Sequence, residues 1–131
     1  MTTTVELTAA DFESTVTTNA IVLVDFWASW CGPCRQFTPV YQRAAQTHED
    51  IVFGKVDTEA QRELAAAAGI SSIPTLMAFR DGMLVFSQPG ALPAPALEQV
   101  IASVRALDMD ALRRETAALR QTADHGVGST R

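Results

Sequence analysis

Apolar and polar positions along this chain follow two rhythms. Residues 21–28 form an apolar run broken only by Asp25, the pattern of a strand buried on both faces of a sheet. A second such run covers 51–56, and a short strand is predicted at 5–7. Residues 75–79 and 83–86 read as two strands joined at Asp81-Gly82, a turn pair that tolerates positive φ. Between these runs the spacing becomes helical. Thr8, with Asp11 three residues on, predicts an N-cap for a helix over 9–17. Phe37, Val40, Tyr41, Ala44 and Ala45 mark an amphipathic helix that Pro39 should kink. Thr58 and Gln61 resemble a capping box opening a helix that ends before Gly69. A helix starting near Pro93 carries Leu97, Val100, Ile101, Val104 and Leu107 on one face.

The order β-α-β-α-β-α-β-β-α predicts an α/β fold, a central mixed sheet with helices on both faces. That core domain is expected over 1–107, followed by a C-terminal helical extension in 108–131. Within the extension, 108–121 reads as a helix with Asp108 and Asp110 early and Arg113, Arg114 and Arg120 late, as the helix dipole favours. Its apolar stripe of Met109, Leu112 and Leu119 is thin, and the polar residues 122–131 are expected to be disordered.

Composition narrows the function. With 131 residues, 47% of them hydrophobic and 19% charged, the chain suits one domain with a real core. A net charge of −5 without a basic run argues against nucleic acid as a partner. The first residues lack the positive flank and apolar stretch of a secretory signal, and no apolar run is long enough to span a bilayer. The expectation is a cytoplasmic protein that does not enter a membrane. Two cysteines in a chain of this length make no disulfide framework, so their spacing needs its own explanation.

Cys31-Gly32-Pro33-Cys34 falls between a buried strand and a helix. Cys31 is thereby placed at a helix N-terminus, where unpaired amides and the macrodipole favour a thiolate, the attacking species of a redox cysteine. Gly32 and Pro33 suit the entry turn, since proline's missing amide is harmless at the first helical position. Cys34, inside the first turn, is expected to be the more buried and slower thiol. Two other readings stand beside this one. A zinc site would need about four ligands, and the chain adds only His48 and His125. A static structural disulfide is the other.

The segment Phe26-Trp27-Ala28-Ser29-Trp30-Cys31-Gly32-Pro33-Cys34 closely resembles the active-site stretch of thioredoxins. The resemblance continues through Pro39, Lys55-Val56-Asp57, Ser72-Ile73-Pro74-Thr75, Phe79-Arg80-Asp81-Gly82 and Gly90-Ala91-Leu92, covering residues 5–107 in order. It implies the thioredoxin fold and a protein-disulfide reductase, with no bound cofactor. A redox-active Cys31–Cys34 disulfide would be regenerated by thioredoxin reductase at the expense of NADPH. In this resemblance Cys31 attacks, Cys34 resolves, and Asp25 takes the proton from Cys34. Asp25 sits in an apolar strand, where desolvation raises a carboxylate's proton affinity. Lys55, the only lysine, would tune Asp25, or else simply reach solvent along its apolar stem. Ile73-Pro74 is expected to be cis. Trp30, Gly32, Pro33, Ile73, Pro74, Gly90 and Ala91 would form the surface that receives client peptides, with Trp27 a core aromatic. The family also implies a monomer.

Three features depart from the commonest family pattern. Ser72 replaces a frequent glycine, Pro89 removes an amide before Gly90, and the extension follows Leu107. The extension is a surface appendage or a docking element for a partner or second copy. Two further functions remain open: a dedicated oxidoreductase with one client or another electron donor, and a non-enzymatic binding module.

Overall fold

The structure, a computed structural model, describes residues 3–129, and the side chains through Arg120. Five strands form one mixed sheet. They are β1 (Val5–Glu6), β2 (Ile21–Trp27), β3 (Val52–Asp57), β4 (Thr75–Arg80) and β5 (Met83–Pro89), in the spatial order β1-β3-β2-β4-β5. The β1–β3 and β2–β3 pairs are parallel, and β2–β4 and β4–β5 are antiparallel. The helices are α1 (Phe12–Thr18), α2 (Gly32–Thr47), α3 (Arg62–Ala67), α4 (Ala94–Arg105) and α5 (Met109–Ser129). The predicted mixed α/β fold with a C-terminal helix is what forms.

Alternation along β2 divides the core. Ile21 and Leu23 point to one face, where they pack with Phe37 and Tyr41 of α2 and Leu97, Ile101 and Val104 of α4. Val22, Val24 and Phe26 point to the other, against Val16 of α1 and Leu64 of α3. Tyr41 bridges the first cluster, with its ring centroid 5.2 Å from Phe53 and 5.4 Å from Phe37. Its buried hydroxyl donates to the carbonyl of Gly54 at 2.8 Å, which satisfies a group that burial would otherwise penalise. Gly54 is glycine for a steric reason: a Cβ there would run into the buried Leu7 side chain.

Two helix starts differ from the sequence reading. The Asp11 carboxylate accepts the Thr8 amide at 2.7 Å and its hydroxyl at 3.2 Å, closing a separate turn, so α1 begins only at Phe12. Thr58 and Gln61 form no capping box. Thr58 donates its hydroxyl to the Trp27 carbonyl at 3.0 Å, and Gln61 accepts the Ala9 amide at 3.0 Å. Asp57 instead accepts the amides of Glu59 and Ala60, and α3 begins at Arg62. In both places neighbouring chain segments compete for the local polar groups. The β4–β5 turn follows the prediction, with φ of 52° at Asp81 and 81° at Gly82. α2 runs on through Pro39 to Thr47.

The chain past α4 is held at its start. Arg80 donates to the carbonyls of Val104 at 2.7 Å and Arg105 at 3.1 Å, capping the end of α4. Met109 is buried, and Arg113 pairs with Asp81 at 3.5 Å. α5 then continues to Ser129, well beyond residue 121, where the sequence predicts a disordered tail. Once a helix is nucleated each added residue extends it by one further hydrogen bond. Residues 130–131 of that expected tail lie outside the described residues.

Candidate active site

The cysteine pair sits where a buried strand gives way to a helix. Cys31 is the N-cap of α2, with Gly32 and Pro33 in its first turn. The two cysteines are joined as a disulfide, their Cα atoms 5.2 Å apart. Cys31 Sγ accepts the Cys34 amide at 3.2 Å, so the end of the helix bonds the sulfur directly. The same sulfur lies 3.8 Å from the Ile73 carbonyl oxygen. Both residues are almost wholly buried, Cys31 at 4% and Cys34 at 2%, so exposure barely separates them. What separates them is position: Cys31 caps the helix, and Cys34 lies within its first turn.

Ala28, Cys31 and Cys34 pack as one small apolar cluster against Trp27 and Ile73. The Ile73–Pro74 peptide is cis, and the Pro74 carbonyl accepts the amide of Gly90 at 2.7 Å. That bond ties the loop after β5 to the loop before β4, and Gly90, at φ of 102°, adopts a backbone conformation suited to glycine. Around the disulfide, Trp30 is 65% exposed. Pro33, Gly90 and Ala91 are also exposed, Gly32 and Ile73 half-buried, and Pro74 buried. Residues scattered from 30 to 91 in the sequence are thus gathered at one end of the sheet.

Asp25 lies on the α2 side of β2, wholly buried, and neither carboxylate oxygen has a hydrogen-bond partner. Burial pushes this carboxyl up to about 7, against the pull of Lys55 and with a further push from Glu6. Lys55 stands directly beside Asp25 in the β2–β3 register. Its ammonium does not pair with Asp25, however; it rests over the Trp27 ring, 4.5 Å from the centroid. Burial and the Asp25 charge together raise the Tyr41 hydroxyl's proton affinity. The site therefore holds a disulfide at a helix N-terminus, with a carboxyl able to carry a proton near neutral pH beneath the same helix.

A sequence profile of the thioredoxin family matches residues 3–103. The chain belongs to the thioredoxin family. Thioredoxin relatives include a Streptomyces coelicolor protein named "Putative thioredoxin 2", 63% identical over 117 residues, which cover 89% of this chain and 87% of that protein. Thioredoxin 1 of Synechococcus elongatus is 45% identical over 72% of this chain and 91% of its own length. Among solved thioredoxin structures, a mutant thioredoxin from Halobacterium salinarum superposes with a TM-score of 0.75 at 32% identity, covering 81% of this chain and 94% of that one. As a thioredoxin-family member with its Cys-Gly-Pro-Cys pair in place, the chain is a protein thiol-disulfide oxidoreductase.

Among the described residues, no group of three or more histidine, cysteine or acidic side chains is placed to hold a metal. His48, a candidate for the zinc reading, sits at the end of α2 and bonds Glu98 at 2.8 Å and Arg105 at 3.1 Å. His125 lies outside the residues whose side chains are described. No described helix is long and apolar enough to cross a membrane. Trp27, expected to be a core aromatic and not a substrate contact, lies half-buried, packed against the cysteine cluster and beneath Lys55. Strand alternation carries that signal, since Trp27 and Asp25 share a face of β2.

Proposed function

We propose that this thioredoxin-family protein works in the reducing direction, passing two electrons from its Cys31–Cys34 dithiol to disulfides of client proteins. The exchange chemistry is carried by Cys31 Sγ at the α2 N-terminus, accepting the Cys34 amide, and the reducing direction by the Gly32-Pro33 pair between the cysteines, which is similar to that of the family's reducing members. In the dithiol, that amide and the helix dipole favour the Cys31 thiolate. The thiolate attacks one client sulfur, forms a mixed disulfide and displaces the other as a thiolate. Cys34 then loses its proton to Asp25 and attacks Cys31 Sγ. The second client sulfur leaves, and the Cys31–Cys34 disulfide remains. Asp25 fits this role because a base works best with a proton affinity near the operating pH, and its own is raised to about 7. Lys55 tunes that affinity from the neighbouring strand.

Trp30, Gly32, Pro33, Ile73, Pro74, Gly90 and Ala91 form the receiving surface, where the Ile73 backbone pairs with an extended client segment. The redox unit spans 1–107, and 108–131 is an appended helix. The protein acts as a monomer in the cytoplasm, where thioredoxin reductase returns electrons from NADPH. A reducing compartment suits a dithiol that must be re-formed after each turnover.

The test follows NADPH oxidation with this protein, a bacterial thioredoxin reductase and insulin, beside insulin reduction driven by dithiothreitol. Turnover that disappears in Cys31→Ser is the expected result. Activity with dithiothreitol but with no reductase would point to a dedicated oxidoreductase fed by another donor. Silence in both assays would overturn the reductant reading and favour a binding role.

A further inference from the structure

The strand registers place three charged residues in one row. Glu6 of β1 stands opposite Lys55 of β3, and Lys55 stands opposite Asp25 of β2. Residues in register on neighbouring strands project to the same side of a sheet, so all three share the face that α2 covers. The row runs from an exposed edge to the centre: Glu6 is exposed, Lys55 half-buried and Asp25 fully buried. Lys55 sits between two carboxylates yet forms an ion pair with neither among the described residues, its ammonium being held over Trp27. Asp25 has no hydrogen bond of its own, so beyond its burial it is the charges around it that adjust how firmly it keeps a proton.

We propose that Glu6 is a positioning residue for thiol exchange: from the far side of Lys55 its negative charge offsets the pull of that ammonium on Asp25, and so keeps Asp25 a proton carrier for Cys34 instead of a permanent carboxylate. The inference rests on the role given to Asp25 above.

The charges facing Asp25 can be named. Lys55 approaches from β3 and favours the ionised form, and Glu6, one strand further, opposes it. α2 contributes Tyr41, whose hydroxyl is committed to the Gly54 carbonyl. β4 contributes only the apolar Leu76 at the Asp25 register. Glu6 itself is held up by its partial burial and by Asp57, and drawn down by Lys55. Among the described residues, its carboxylate is therefore the negative charge that reaches Asp25 from the edge of the sheet. Two strand spacings put Glu6 and Asp25 roughly 10 Å apart. At that range a unit charge moves a titration midpoint by about 0.3 to about 1 pH unit, depending on local screening.

The experiment compares the parent with Glu6→Gln and Glu6→Asp, each in the full chain. Glu6 lies exposed on an edge strand, so both variants keep the core intact. The Asp25 side-chain carboxyl is titrated by carbon-13 NMR in the disulfide form. Alongside, the pH profile of insulin reduction driven by dithiothreitol is recorded. Glu6→Gln should lower the Asp25 midpoint by a few tenths of a pH unit or more, shift the kinetic profile to lower pH, and have a smaller effect in molar salt. Glu6→Asp should restore both, and in an Asp25→Asn background Glu6→Gln should leave the profile unchanged. An unmoved Asp25 midpoint would overturn the role of Glu6. A midpoint that moves while the kinetic profile stays fixed would overturn the proton-carrier reading of Asp25, and with it any part for Glu6 in exchange.

Discussion

Replacing Asp25 by asparagine isolates the cost of burying an ionisable group without a partner. The carboxyl titrates near 3.8 when unperturbed and near 7 in the folded protein. Below 3.8 both folded and unfolded chains carry the proton, and the buried group imposes no ionic penalty. Between 3.8 and 7 the unfolded chain gives up its proton while the folded one keeps it. Stability therefore falls as pH rises, by about 1.4 kcal/mol per pH unit. Above 7 both forms are ionised and the fall stops, after a total of about 4 kcal/mol. Asparagine has nearly the same shape and does not titrate. Its own unpaired amide costs about 1 to 3 kcal/mol at every pH. Urea unfolding of the oxidised parent and variant from about pH 4 to about pH 8.5 measures the difference. The variant's stability relative to the parent should climb by about 4 kcal/mol across that range, most steeply below about pH 7. Parallel stability profiles would refute the reasoning, because they would mean that Asp25 titrates alike in the folded and unfolded chains.

Two further substitutions probe the frame that holds the site. Gly54→Ala forces a Cβ into Leu7 and should cost about 1 to 3 kcal/mol by overpacking, read as a lower urea midpoint at unchanged slope. Arg80→Met removes the guanidinium that caps the Val104 and Arg105 carbonyls. It should cost about 1.5 to 3 kcal/mol and speed amide exchange at the end of α4, and unchanged exchange there would discount the cap.

Much of this architecture can be read in one dimension because it rests on local rules. The apolar run around Asp25 forms β2, Asp81-Gly82 turns the β4–β5 hairpin, and Cys31 caps α2 with Pro33 just behind it. Helix starts are less legible. Thr8 and Thr58 carry good capping side chains, yet Asp11 and Asp57 organise those turns, and the Thr58 hydroxyl is taken by the Trp27 carbonyl on a neighbouring strand. The polar, glycine-containing residues from 122 onward suggest an end near residue 121, whereas α5 continues to Ser129.

The chemistry and its setting are already written along the chain: a Cys-Gly-Pro-Cys pair at a strand-to-helix junction, and an aspartate within an apolar strand. These depend on neighbours along the chain, whose spacing covalent geometry dictates. Folding sets the company those groups keep. It brought Ile73 to Cys31, tied Gly90 to Pro74, laid Lys55 over Trp27, and aligned Glu6, Lys55 and Asp25 across three strands. Those relations join residues far apart in the chain. They follow from strand order and register, which the whole core selects by burying one face of each strand and which no short stretch of sequence encodes.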